Sequence, residues 1–133
     1  MFSFFTTNEA NKALPDVIKK FEYALSKNNE VRKIEQELQV KISTTNSFED
    51  YVTLKQNLNS AITKFYESLE ILESTGVVVK SLEQGLLDFP SKRFDEEVWL
   101  CWKHGETEIK FWHEKDSGFM GRKPIEVSDE TLV

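Results

Sequence analysis

The sequence predicts an α+β protein in which a long antiparallel helical hairpin packs on a small, mostly antiparallel β-sheet. Three observations predict this class. Apolar residues recur at spacings of three and four through residues 7–75. Three consecutive valines follow Gly76, and β-branched residues favour strands. Residues 97–113 then alternate between apolar and polar side chains, which is the period of a strand. We expect residues 1–133 to form a single domain.

The composition limits the classes of function. The chain has 133 residues, a net charge of -6 and one cysteine. This acidic balance makes a nucleic-acid partner an unfavoured hypothesis, because phosphate recognition depends on clustered Lys and Arg. One cysteine forms no internal disulfide, and no apolar run is long enough to span a bilayer. We therefore predict a cytoplasmic protein that does not engage a membrane.

The N-terminal residues predict a strand that leads into a helix. Residues 2–5 are rich in phenylalanine, which favours a short strand within residues 1–6. Thr6, Thr7 and Asn8 then offer N-cap oxygens immediately before Glu9. The helical region is therefore expected to begin at residue 7.

Two apolar series predict the helical hairpin over residues 7–75. A polar turn at 43–47 separates them, and Asn46 or Ser47 can cap the second helix. The second series has the spacing of a coiled-coil seam. Its members are Tyr51, Leu54, Leu58, Ile62, Phe65, Leu69 and Leu72. Two helices leave apolar area uncovered, so we expect the hairpin to pack on the sheet, on a second copy as a homodimer, or on both.

The β-rich part is expected to occupy residues 77–124. Its predicted strands are 77–79, 86–89, 97–103 and 106–113, with a polar connection at 90–95 and a two-residue turn at His104 and Gly105. A glycine-containing loop follows the last strand. The tail at 125–133 carries acids among small polar residues, and we expect it to be poorly ordered.

The two-residue turn predicts a register for the hairpin. It places Leu100 opposite Ile109 and puts His113 at the end of the core face, which Leu100 and Trp102 share. Cys101 falls on the opposite face with no activating base evident, so we interpret it as structural. Glu106 and His113 would lie on opposite faces and roughly 23 Å apart, too far to share a metal ion.

The candidate site lies at the far end of this hairpin. Its candidate ligand-binding residues are Asp88, Trp112, His113, Asp116 and Arg122. Carboxylates and imidazole bind divalent metals, which makes Asp88, His113 and Asp116 the candidate metal ligands. Arg122 follows two glycines and is suited to clamping an anion. The alternatives stay open: His113 hydrogen-bonded to a carboxylate or carbonyl at the end of the sheet, and Arg122 paired with a structural acid such as Asp116.

Three stretches of the chain carry a family resemblance. The C-terminal stretch contains Leu100-Cys101-Trp102, Gly105-Glu106, Ile109, Phe111-Trp112-His113-Glu114, Asp116, Gly118-Phe119, Gly121-Arg122 and Pro124. The other two are Thr7-Asn8-Glu9-Ala10-Asn11 with Leu14-Pro15, and Gly85-Leu86-Leu87-Asp88-Phe89-Pro90. Together they resemble the small prokaryotic proteins grouped as domain of unknown function 2203. That family has no established activity. The resemblance therefore implies motif positions at Asp88, Glu106, Trp112, His113, Asp116 and Arg122, without assigning roles to them.

Two functional hypotheses follow. The first is a non-enzymatic interaction or structural module that self-associates through its helices, motivated by the unbroken seam of the second helix. The alternative is a protein that binds a small molecule, an anion or a divalent metal, with hydrolysis as one option, at the end of the 97–113 hairpin. An unidentified protein partner is compatible with the first hypothesis and a small-molecule partner with the second.

Overall fold

The computed structural model describes residues 3–44 and 47–126 and has an α+β fold, as predicted. Its elements are α1 (Thr7–Thr44), α2 (Phe48–Glu73), β1 (Val78–Ser81), β2 (Leu86–Arg93), β3 (Glu96–Lys103), β4 (Phe111–Glu114), a 3-10 turn (Phe119–Gly121) and β5 (Lys123–Pro124). The strands form one antiparallel sheet in sequence order. The chain divides into two compact units, which the prediction of a single domain did not separate: residues 20–72, and residues 1–19 together with 73–133.

The helical unit confirms the predicted hairpin. Its core joins Val31 and Leu38 of α1 to Leu58 and Ala61 of α2. Half-buried apolar residues pack around that core; they are Ile34, Leu54, Ile62 and Phe65. The N-terminus of α2 is capped by Ser47, whose Oγ accepts a hydrogen bond of 3.2 Å from the Asp50 N–H. Within the described part of the chain, neither helix is long and apolar enough to cross a membrane.

A capping box starts α1. The Glu9 N–H donates to Thr6 Oγ1 at 3.0 Å, and the Thr6 N–H donates to Glu9 Oε1 at 2.9 Å. Hydrogen bonding to the Thr6 backbone and side chain lowers the pKa of the Glu9 carboxyl. The backbone N–H groups of Thr6 and Glu9 are thereby satisfied reciprocally by a carboxylate and a hydroxyl, which fixes the entry of the chain into the helix.

The predicted N-terminal strand is wrong for residues 3–6, which are extended but form no ladder. Residues 1 and 2 lie outside the described part. Phe5 alone is tied to β2: its N–H donates to the Pro90 carbonyl at 2.7 Å, and its carbonyl accepts from Ser91 Oγ at 2.6 Å. The Phe5 ring also meets the Phe89 ring edge-on at 5.2 Å between centroids. One residue with both backbone groups bonded docks the segment without extending the sheet.

One face of the sheet forms the core of its unit. Leu87, Phe89, Leu100 and Trp102 share that face by register and are at most 4% exposed. The first turns of α1 lie in the same unit, and the Asn11 side chain accepts a 2.6 Å hydrogen bond from the Ile109 N–H. The predicted core face of β3 is therefore confirmed.

The predicted polar connection at 90–95 is wrong, because β2 continues to Arg93 and β3 starts at Glu96. The reversal takes only Phe94 and Asp95, which have φ of 50° and 67°. Left-handed φ at both positions matches the tight turn that suits a hairpin, but such turns normally carry Gly or Asn. Phe and Asp at these positions gave no hairpin signal in the sequence.

The predicted register of the second hairpin is also wrong. Residues 106–110 are not in a strand, and β4 begins only at Phe111. Val98 therefore pairs with Glu114 instead of Phe111, a shift of three positions. An odd shift moves every side chain of the strand to the other face. Of the predicted tail, Ile125 donates its N–H to the Lys110 carbonyl at 2.8 Å, and residues 127–133 lie outside the described part.

Candidate functional site

The shifted register assembles a cluster on the face of the sheet opposite the core. Asp88 of β2 pairs directly with Cys101 of β3, and His113 of β4 pairs with Trp99, two residues from Cys101 along β3. Residues two apart on a strand point to the same side. Asp88, Cys101 and His113 therefore converge from three neighbouring strands.

The three side chains of this cluster are close together and sealed from solvent. One potential ligand atom from each lies within 4.8 Å of the others. Asp88 and Cys101 are 1% exposed and His113 is 2% exposed. Buried polar groups of this kind are costly unless they are paired, so their arrangement is the most informative feature of the sheet.

Both ring nitrogens of His113 are engaged. Nδ1 lies 2.9 Å from the Glu114 carbonyl oxygen, and Nε2 lies 3.0 Å from Asp88 Oδ2. A carbonyl only accepts hydrogen bonds, so Nδ1 carries a hydrogen and donates it. The lone pair of Nε2 or its hydrogen then faces Asp88. One proton consequently lies between His113 and Asp88, whichever of the two atoms holds it.

Burial controls the protonation of the other two groups. Desolvation raises the pKa of the Asp88 carboxyl, while the charge and hydrogen bond of His113 and the charge of Lys80 act in the opposite direction. Desolvation and the adjacent Asp88 raise the pKa of the Cys101 thiol from 9.0 to about 12, with Arg122 opposing them. At neutral pH the thiol keeps its proton. Cys101 is therefore not an activated nucleophile in this state.

Asp88 has one oxygen without a partner. Its Oδ1 is buried without a hydrogen-bond partner of good geometry, although Oδ2 faces His113 and the Cys101 thiol, a weak donor, also acts on the carboxyl. A buried unsatisfied carboxylate oxygen costs free energy and calls for a physical explanation. A cation bound between Asp88, Cys101 and His113 would satisfy it. The residues present thus fit a metal ion of the class that accepts sulfur, nitrogen and oxygen ligands together.

Two cations lie on this face, each stacked on an aromatic ring. Lys80 Nζ sits 4.4 Å from the centroid of the Trp99 ring. The guanidinium of Arg122 sits 4.1 Å from the centroid of Phe111 and donates to both oxygens of Glu106, at 2.6 and 2.8 Å. Arg122 also donates to the Cys101 carbonyl at 3.2 Å.

The structure separates the other residues of the predicted site. Asp116 is exposed in the turn after β4, and the buried cluster does not include it. Trp112 pairs with Leu100 and so lies on the opposite face, where Arg93 and Lys123 stack on its ring. Arg122 binds Glu106 instead of Asp116. Of the predicted set, only Asp88 and His113 are in contact.

Cys101 is the cluster residue that the sequence analysis missed. Its alternation with Trp102 placed it correctly on the non-core face of β3. What the sequence did not reveal is that this face is also buried at this point. The sequence did contain one indication of a buried polar cluster. Asp88 is an isolated carboxylate within the otherwise apolar run from Leu86 to Pro90. A carboxylate in a buried strand requires a partner on the neighbouring strand.

A known family model matches most of the chain. The model of the family described as Uncharacterized conserved protein (DUF2203) matches residues 3–125. The chain belongs to the DUF2203 family. No curated protein and no solved structure matches it. The DUF2203 match spans every strand that supplies the cluster.

Proposed function

We propose that this DUF2203 protein binds a divalent transition metal, with zinc as the best fit, through Asp88, Cys101 and His113. The observation that carries the proposal is the buried oxygen Asp88 Oδ1, which has no partner and lies in a group of three potential ligands. A hydrogen-bonded core network would be expected to satisfy this oxygen. A metal ion bound in the cluster would be coordinated by Asp88 Oδ1.

The ligand chemistry favours zinc over hard cations. Thiolate, imidazole and carboxylate together suit zinc, whereas calcium and magnesium take oxygen ligands. Zinc ligand atoms in a tetrahedron lie roughly 3.3–3.6 Å apart, from bond lengths of about 2.0–2.3 Å. The potential ligand atoms of Asp88, Cys101 and His113 lie within 4.8 Å of one another, so a small inward movement brings them into that range. The Nδ1–H donated to the Glu114 carbonyl is the outer hydrogen bond that metal-bound histidines commonly make.

Three protein ligands leave one coordination position for water or a small molecule. The position is compatible with binding an anion or with hydrolysis, and we assign no reaction to it. The buried free thiol suits a reducing compartment, so we place this role in the cytoplasm.

Cobalt and zinc titrations test the metal proposal. The purified chain should take up one ion, and cobalt should produce a sulfur-to-metal charge-transfer band that is absent in Cys101→Ser. Competition with a chromophoric chelator should show that Cys101→Ser and Asp88→Asn each weaken zinc binding by at least about 100-fold, since a single outer-shell partner is already worth 10–100-fold.

Asp116→Asn is the matched control for these titrations. Asp116 is an exposed acid outside the cluster, so its replacement should leave zinc affinity unchanged. Equal affinity in the unaltered chain and in Cys101→Ser would reject the proposed ligand set. A loss in Asp116→Asn would instead support the set predicted from the sequence.

We also propose that the helices mediate self-association into a homodimer. The support is the incomplete burial of the α2 seam, since Leu54, Ile62 and Phe65 remain half-buried in the single chain. Beside them Tyr66 is 59% exposed, and on α1 Val40 is also 59% exposed. A second copy would cover this apolar stripe, as in antiparallel bundles.

Sedimentation equilibrium tests the homodimer. We expect a dimer at concentrations on the order of tens of micromolar, and Tyr66→Glu should weaken it by at least about 10-fold because it places a charge in an apolar interface. Lys64→Glu, at a neighbouring exposed position of α2, is the control for added negative charge. A monomer throughout this concentration range would reject self-association and leave the metal proposal unaffected.

A further inference from the structure

The cluster has no direct route to solvent, so a metal ion must enter when part of the surrounding structure opens. The segment 114–122, which leads from the end of β4 to β5, is the candidate for this opening. Apart from Glu114, the last residue of β4, and the 3-10 turn Phe119–Gly121, it has no regular secondary structure. Such segments open at lower cost than paired strands.

Both ends of the 114–122 segment are attached to cluster residues. At its start, the Glu114 carbonyl accepts the hydrogen bond from His113 Nδ1. At its end, Arg122 Nη2 donates to the Cys101 carbonyl. A movement of this segment would therefore release one contact to the His113 ring and one to the Cys101 backbone carbonyl. These two residues are two of the three proposed ligands.

The segment itself is tightly folded. The Ser117 N–H donates to the Glu114 carbonyl at 3.1 Å, and the Gly121 N–H donates to the Gly118 carbonyl at 2.9 Å. A Cβ at Gly121 would come within 2.8 Å of the Ser117 side chain. These bonds are internal to the segment. The segment can therefore move as a unit when its contacts with the rest of the chain are broken.

The Arg122–Glu106 ion pair attaches the end of the segment to the loop that follows β3. Arg122 is 12% exposed and Glu106 is 23% exposed, so solvent screens the pair only weakly. The guanidinium is also held between the rings of Phe111 and Phe119. Glu106 is fixed in turn, because its Oε1 accepts from the Lys103 N–H at 2.7 Å.

We propose that the Arg122–Glu106 pair is a latch that holds the 114–122 segment against the Asp88, Cys101 and His113 cluster. The latch limits the rate at which metal ions and thiol reagents reach the cluster. The metal part of this inference rests on the proposed function, whereas the access part does not. Arg122 and Glu106 are positioning residues and are not ligands.

Two rates measure the latch: labelling of Cys101 by an aromatic disulfide reagent without metal, and zinc release to a chelator in excess. Glu106→Gln and Arg122→Lys should each raise both rates by about 10-fold or more. The first removes the negative charge of the pair, and the second replaces the planar guanidinium whose Nη2 contacts both Glu106 oxygens. The rates of zinc binding and of zinc release should rise together. Zinc affinity should therefore change much less than either rate.

Lys123→Gln is the matched control. It breaks the exposed 2.6 Å bridge between Lys123 and Glu114 at the base of the same segment and leaves Arg122 in place. Its rates should stay within about 2-fold of the unaltered chain, since exposed ion pairs contribute little. A comparable acceleration in Lys123→Gln would show that the whole segment, and not the latch, controls access.

The outcomes separate this inference from the metal proposal. Failure of the unaltered chain to bind zinc overturns the metal proposal, and thiol labelling still tests the latch. Zinc binding with unchanged labelling and release in folded Glu106→Gln and Arg122→Lys overturns the latch alone. If neither variant folds, hydrogen exchange of the unaltered chain decides. The Ile125 amide, whose bond to the Lys110 carbonyl ties the chain just beyond the segment, should then exchange at the rate of Cys101 labelling, and a slower exchange overturns the proposal.

Discussion

Replacing Asp88 with alanine is expected to lower the free energy of unfolding by about 3–5 kcal/mol in the absence of metal. His113 would keep its Nδ1 hydrogen bond to the Glu114 carbonyl and its 2% exposure, and Nε2 would remain buried without a partner. A small void would be added where the carboxyl group was. Urea unfolding followed by tryptophan fluorescence, with chelator present, measures the change.

Asp88→Asn is the informative comparison. An amide can donate to the His113 Nε2 lone pair, so this variant should lose no more than about 1.5 kcal/mol of stability. It should still lose zinc affinity, because a neutral amide is a poor substitute for a carboxylate ligand. Asp88→Asn would thus keep most of its folding stability while losing zinc affinity. A loss below about 1 kcal/mol for Asp88→Ala would show that the buried pair is not a structural requirement.

Trp102→Ala should be comparably damaging, with a loss of about 3–5 kcal/mol. Trp102 is fully buried on the core face, and its indole N–H donates to the Glu106 carbonyl at 2.8 Å. Truncation leaves a large cavity and an unpaired carbonyl. Denaturant unfolding measures the loss, and a cooperative transition with an unchanged slope would show that the fold persists.

Two other aromatic substitutions calibrate the Trp102 result. Trp102→Phe keeps most of the ring volume and removes the hydrogen bond, so it should cost roughly 1–2 kcal/mol. Trp112→Ala removes an indole that is only half-buried and should cost less than Trp102→Ala. Equal losses at Trp102 and Trp112 would contradict the difference in burial between these two indoles.

The helices could be predicted from the sequence because their signals are local. The seam spacing from Leu54 to Leu72 is set by the helical period, and Thr6 and Ser47 cap the two helices with bonds that span three residues. Alternation along β3 likewise identified the core face through Leu100 and Trp102. In each case the residues that determine the structure are neighbours in sequence.

The register of β3 and β4 was not predictable by the same reasoning. Residues 106–110 alternate like a strand, yet the Ile109 N–H is bonded to Asn11, which is 98 residues away. That contact removes the segment from the ladder and delays β4 to Phe111. The expected grouping of the candidate residues depended on this register. The structure brings Asp88 and His113 together, and it adds Cys101, which was judged by a face assumed to be less buried.

The neighbour-to-neighbour order of the five strands has a consequence for how this unit folds. Every strand pairing joins segments that follow one another, so closing each loop costs little chain entropy. The distant contacts are those of Phe5 with Ser91 and of Asn11 with Ile109, 86 and 98 residues apart. Sheet formation therefore need not wait for the N-terminus. The Asp88, Cys101 and His113 cluster can be assembled by local pairing before the start of α1 closes the opposite face.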